Sequence, residues 1–382
     1  MNKWILLILS LLLLSACEKD EPVPDVHVSE RTVLVWLAGD NNLYSEVPHK
    51  LSALAEGFRN DAPEDCRLLV YADRRGNYPQ LIEILPNGNQ SVLETYPAQN
   101  SASPETFSRF LNYMMETAPA RHYGLILFSH ATGWLPQGAL ENPSLEEKPL
   151  SRTVFDDNGE QMTLAELADA LPTDVRFDYI VFENCFMGGA EVAYALRDKA
   201  DRLLVSSAEI LSPGFEEIYS SSLYRLFAPT PDLSGFAADY YNYRNAKSGN
   251  HRSATVSVIN TSAMPQLASL ASEIISGTSI EGIGPLDEEK LKTMQRFNRH
   301  DYTLFFDLEE YLYELAPDRA TEIRTAISEA VEYAAATADF MSTYDHGFHI
   351  ARHCGLTVYI PQTRFPALNA AYTETAWHRA TH

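Results

Sequence analysis

The sequence predicts a three-layer α/β/α sandwich around a mostly parallel sheet. Three observations carry that expectation. Strand-length apolar runs recur along the first 210 residues, helix-period segments separate them, and the runs are apolar throughout rather than alternating. Continuous apolar character is what a parallel strand covered on both faces requires. The runs are Thr32–Leu37, Arg67–Tyr71, Tyr123–Phe128, Asp178–Phe182 and Arg202–Ser206. Between them, 45–57, 104–117, 163–171 and 187–199 carry helical spacing, and Thr163 with Glu166 three residues on forms a capping-box signal. Alternating strand and helix implies right-handed crossovers and a doubly wound layer structure.

The ends of the chain read differently. Trp4 to Ala16 is an uncharged apolar run behind Lys3. It is shorter than the about 20 residues a membrane-spanning helix needs, and it suits a secretory signal. It closes on Leu14-Ser15-Ala16-Cys17, which resembles a bacterial lipoprotein signal, with Cys17 as the lipidated N-terminus. The expected organisation is a signal over 1–16, an acidic, proline-containing tether over 17–30 and one domain over 31–382. Such a chain sits in the cell envelope, at the outer membrane, on its periplasmic or surface-exposed face, held to the lipid membrane by its anchor. In the C-terminal half, Leu308–Leu315 and Ala320–Ala336 look helical and Leu356–Ile360 looks like a strand. The part from about 220 onward either joins the sheet or forms a helical subdomain. Residues 135–152, with three prolines among glutamates, read as an exposed loop.

Composition narrows function. There are 29 Lys and Arg against 52 Asp and Glu, for a formal net charge of −23, which leaves no excess of cations to neutralise phosphates and argues against a nucleic-acid partner. Acidity instead favours encounter with basic peptides. A hydrophobic content of 45% supplies a large core and excludes a wholly disordered chain. Four cysteines, widely spaced, are too few for a disulfide scaffold; Cys66 and Cys354 either pair or are buried thiols.

Reactive groups on an open α/β sheet gather at the C-terminal strand ends. The third run leads into Ser129-His130-Ala131-Thr132-Gly133-Trp134, the fourth into Glu183-Asn184-Cys185-Phe186-Met187-Gly188-Gly189. A thiol and an imidazole at adjacent strand ends make a nucleophile and a proton shuttle. A helix start just beyond Cys185 would favour thiolate. Glu183, two residues before Cys185 on the same strand face, should lie beside the thiol and oppose its ionisation.

The stretch Phe177–Leu196 resembles the nucleophile region of clostripain-like cysteine peptidases. So does its sequel from Arg202 to Tyr219, with Ser207-Ala208-Glu209 and Pro213-Gly214. Val35–Leu43, Leu125–Trp134, Asp156-Asp157-Asn158-Gly159 and Met162–Leu167 match in the same order, with weaker matches at Phe306–Leu308 and Gly355–Pro361. That family has the caspase–hemoglobinase fold. The resemblance implies a peptidase acting on peptides or proteins through a His130–Cys185 dyad, with Glu183, Ala131 and Ser207 in substrate binding. It implies cleavage after Arg or Lys, an acid at 183 lining the pocket for the basic side chain. It requires no cofactor, although some members use calcium, for which Asp156, Asp157, Asn158 and Glu160 offer oxygens without EF-hand spacing. Maturation by cleavage between the two catalytic strands would fall at Arg152, since Pro149 protects Lys148.

Three positions depart from the family pattern. Ala131 replaces the usual glycine, and Glu183-Asn184 replaces Asp-Ala before the cysteine. These departures motivate a rival reading, a catalytically inactive lipoprotein that holds peptides or other surface ligands in the same cleft. His346, His349, His353 and Cys354 form a second cluster that suggests a surface or cleft group more than a metal site, because Gly347 weakens a helix there.

Overall fold

The computed structural model describes residues 27–61, 63–144, 154–276 and 286–382. The expected lipidation site Cys17, the tether and the expected processing site Arg152 lie outside the described residues.

Among the described residues the main sheet has nine strands. In chain order they are β1 (Ser29–Gly39), β2 (Cys66–Arg74), β3 (Gln80–Ile84), β4 (Gln90–Thr95), β5 (Ala120–Phe128), β6 (Phe177–Glu183), β7 (Ala200–Val205), β8 (Thr255–Asn260) and β9 (Val331–Ala336). Their order across the sheet is β9-β8-β7-β6-β5-β1-β2-β3-β4. The five central strands, β7-β6-β5-β1-β2, are mutually parallel. Both flanks are antiparallel, through β3 and β4 on one side and β8 and β9 on the other.

The five central strands are the five apolar runs of the sequence, and their burial explains why they do not alternate. In β1, Val33, Val35 and Leu37 enter the core on one face, while Leu34, Trp36 and Ala38 enter the core on the other. The first face is covered by α1 (Val47–Asp61), α5 (Glu216–Ser222) and α6 (Leu233–Asn245). The second is covered by α2 (Pro104–Thr117), α3 (Leu164–Ala170), α4 (Ala190–Ala195), α7 (Met264–Ser276), α8 (Leu308–Leu315), α9 (Ala320–Ala330) and α10 (Ala376–Thr381). This is the α/β/α sandwich. The expected capping box closes the start of α3, with Thr163 and Glu166 bonding each other's backbone N–H groups.

The C-terminal half adds helices and two strands to the same sheet. The helical pattern over Ala320–Ala336 is corrected by the structure: α9 stops at Ala330, and the last six residues form β9 against β8. Val331 is already extended, with φ −117° and ψ 103°. Pairing against β8 outweighs the helix preference of three consecutive alanines. The late strand is short, Thr357–Val358, and pairs with Phe306–Asp307 outside the main sheet. Cys66 and Cys354 are both free thiols.

One glycine sets how closely the first helical layer packs. A Cβ on Gly57 of α1 would overlap the backbone carbonyl of Tyr219 on α5. Alanine would gain about 1 kcal/mol of helix propensity. It would also force two helix backbones apart, at a cost at the upper end of roughly 1–3 kcal/mol. Gly57→Ala is therefore expected to lower stability by about 2 kcal/mol, read as a reduced urea midpoint at unchanged m-value.

Candidate active site

The sheet register brings the two candidate residues together. Phe128 at the end of β5 is paired with Glu183 at the end of β6, and the strands are parallel. His130 and Cys185 each lie two residues beyond that pair. Neighbouring strands run about 5 Å apart, so the two residues leave the sheet rim at the same level. Both line a cleft of about 560 Å³ together with Asn42, Ala131, Asp156 and Phe186. Both also line a smaller cavity of about 230 Å³ with Leu43, Phe128, Glu183, Ile210 and Pro213.

Asn184, between the acid and the cysteine, holds the two strand ends in place. Its side-chain amide donates to the carbonyls of Ser129, at 2.9 Å, and Val154, at 3.2 Å. An alanine in that position could make neither bond. The loop after β5 needs glycine at 133 rather than at 131. Gly133 has φ +65°, and a Cβ there would press on the carbonyl of Phe186. Positive φ among the described non-glycine residues occurs at Asp65, Asn158, Phe186, Met341 and His346, not at Ala131. The alanine that departs from the family pattern therefore carries no backbone strain.

The imidazole of His130 is bonded through Nε2 to Asn42 Oδ1. A carbonyl oxygen only accepts, so Nε2 carries the hydrogen and Nδ1 keeps its lone pair. Burial pushes the His130 pKa down, against the opposing fields of Asp156 and Glu46. The ring is therefore neutral at pH 7. The thiol of Cys185 accepts from the backbone N–H of Ile210 at 3.4 Å. Burial and the nearby Glu209 carboxylate raise its pKa to about 12. Glu209 is itself paired with Arg299 at 3.0 Å. The resting pair is thus thiol and neutral imidazole. The expectation of a helix-stabilised thiolate is not met: α4 begins only at Ala190, and burial raises the pKa of the thiol.

Glu183 lies beside the cysteine as its place on the strand implies, but it is not free. Its Oε1 accepts from Lys50 Nζ at 2.6 Å and from the Phe215 N–H at 2.5 Å, and its Oε2 from the Tyr219 hydroxyl at 2.8 Å. The Lys50 side chain is 0% exposed and that of Glu183 is 1% exposed. The acid that acts most on the thiol is Glu209, with Glu46 a smaller contributor, and sequence reasoning singled out neither. Lys50 was missed too, although a signal exists. Val47, Leu54 and Phe58 mark the buried stripe of α1, and Lys50 interrupts it at i+3.

Ser207 is placed elsewhere. It is fully buried, its hydroxyl meets His353 Nε2 at 3.0 Å, and it lines neither cavity. The C-terminal histidines do not converge. His346 faces Asp301, His349 faces Asp339, and His353 faces Ser207. The acidic stretch after Val154 is a hairpin, Phe155–Asp157 against Glu160–Met162, turning at Asn158-Gly159 with positive φ at both. Its carboxylates already hold protein donors: Asp157 the Ser101 N–H, Asp156 the amide of Gln161.

The sequence pattern of the clostripain family matches residues 35–350. The chain belongs to that family. It is 27% identical over 217 residues to clostripain of Hathewaya histolytica, a match covering 48% of this chain and 40% of that protein. It spans well under half of that relative. An inactive zymogen of a C11 protease from Parabacteroides distasonis is 30% identical with a TM-score of 0.81, covering 94% of this chain and 99% of the other. A secreted C11 cysteine protease from Bacteroides thetaiotaomicron, in complex with an irreversible peptide inhibitor, is 25% identical with a TM-score of 0.78, covering 92% and 99%. The central sheet and its two helical layers are those of C11 proteases. Among the described residues of this clostripain-family chain, no helix is long and apolar enough to cross a membrane.

Proposed function

We propose that the protein is an extracytoplasmic cysteine endopeptidase in which Cys185 is the nucleophile and His130 the proton shuttle. The observation that carries this is their common register: each stands two residues past the paired Phe128 and Glu183, in a clostripain-family chain, at the mouth of the same cleft. Because the resting pair is neutral, the thiol proton passes to His130 Nδ1 as sulfur attacks the peptide carbonyl carbon. Asn42 holds the ring so that Nδ1 is the free nitrogen. Backbone N–H groups of the loop at Ala131 stabilise the developing oxyanion. The imidazolium then protonates the departing amine as the C–N bond breaks. Water, deprotonated by the same nitrogen, cleaves the thioester, releasing the acid and restoring the thiol.

The signal-like run over 1–16, followed by Cys17, supports an envelope location on a lipid anchor, and a secreted relative of the same fold is consistent with it. Cleavage after Arg or Lys would need Glu183 as an unpaired carboxylate, and Lys50 already pairs it. The test is hydrolysis of a denatured protein before and after stoichiometric alkylation of Cys185, confirmed by mass. Loss of hydrolysis in step with alkylation supports the enzyme. Peptide binding without hydrolysis in the unmodified protein supports the silent binder instead, a reading favoured by the high pKa of the thiol.

A further inference from the structure

The small cavity beside the thiol contains its own cation. Lys50 reaches it from α1 and is held on three sides. Its ammonium lies 2.6 Å from Glu183 Oε1, 2.7 Å from the Pro213 carbonyl and 4.2 Å from the centre of the Phe128 ring. Glu46, one helical turn earlier, adds a second carboxylate 3.7 Å away. That carboxylate also accepts from the Ser212 hydroxyl at 2.6 Å. Each oxygen of Glu183 has a donor, and no water-exposed face of Lys50 remains. The remaining walls are mostly apolar, from Leu43, Phe128, Ile210, Leu211 and Pro213, with Ser129 and His130 at one side. A Cβ at Gly214 would overlap the Glu183 carboxylate, so the floor is closed tightly over the acid.

We propose that Lys50 is a specificity-determining residue. By occupying Glu183 it closes the cavity next to Cys185 to basic side chains, so that the enzyme cleaves after uncharged apolar residues of leucine to phenylalanine size. This rests on Cys185 being the nucleophile. A guanidinium or ammonium entering the cavity would meet a buried like charge that has nowhere to go, and would share a carboxylate that already holds three donors. An apolar side chain instead covers the hydrophobic walls and leaves the ion pair intact.

Peptidyl chloromethyl ketones differing only in the residue beside the reactive group test this without requiring turnover. The rate of Cys185 labelling is read by intact mass. Leu and Phe probes are expected to label at least tenfold faster than Arg and Lys probes. Equal or faster labelling by Arg and Lys overturns the role of Lys50 and leaves the peptidase standing. If neither set labels Cys185 while iodoacetamide still does, both readings fail. In Lys50→Met, which frees the carboxylate, the ratio is expected to move at least tenfold toward Arg, and an unmoved ratio counts against the assignment. The wild-type ratio decides the matter even where Lys50→Met does not fold.

Discussion

Cys185→Ala is expected to abolish peptide hydrolysis, a loss on the order of 10⁵-fold, since no other group can form the acyl intermediate. His130→Ala should cost less, roughly 10²–10⁴-fold, because it removes proton transfer but leaves the nucleophile. Neither change should lower the unfolding free energy by more than about 1 kcal/mol, as both side chains line the cleft and Cys185 only borders the core. The pH profile separates this mechanism from one that starts with an ion pair. The active form carries one proton on sulfur and none on Nδ1. Activity therefore falls on acidification only as His130 is protonated, and burial sets that limb of kcat/KM below the usual histidine value of 6.5. On the alkaline side, loss of the thiol proton lies far above neutrality, toward pH 12. A flat profile from pH 7 to 9 is expected, and a limb near pH 8 that also appears in the rate of Cys185 alkylation by iodoacetamide would contradict it.

Glu183→Gln is expected to destabilise the fold by about 3–5 kcal/mol, the range for stripping one partner from a buried ion pair. The loss arises because Lys50 stays buried and charged. Its remaining partners are the Pro213 carbonyl, the Phe128 ring and Glu46 at longer range. The double variant Lys50→Met with Glu183→Gln removes both charges and should recover most of that loss. Urea midpoints of the two single variants and the double variant give the coupling directly. A Glu183→Gln protein as stable as wild type would mean the pair does not exist in solution.

The central sheet was legible because its five parallel strands are apolar on both faces, a pattern that other elements rarely produce. The flanking strands were not. β4 exposes Leu93 and much of its length, and β3 is only five residues long with Gln80 and Glu83 interrupting its apolar residues, so neither carries a long apolar signature. β9 hides in a run of alanines that reads as the end of α9. His130 and Cys185 were found from strand ends and from the resemblance, and the structure has both at adjacent strand ends lining one cleft. Glu183 was located correctly, but its state was not, because an ion pair across 133 residues leaves no mark in local spacing. The tie made by Asn184 was invisible for the same reason: its partners, Ser129 and Val154, are distant in sequence.

The strand order has one more consequence. Every strand of the main sheet from before residue 145 lies on one side, β5-β1-β2-β3-β4, and every strand from after residue 153 on the other, β9-β8-β7-β6. Within the sheet the two halves meet along the seam where β5 lies beside β6, and outside it α1 packs on α5 and Lys50 pairs with Glu183. A molecule nicked between them would stay one particle, glued along that seam and by the Asn184 clasp. Its imidazole would belong to the lighter fragment and its sulfur to the heavier, so that neither piece alone would hold a working pair.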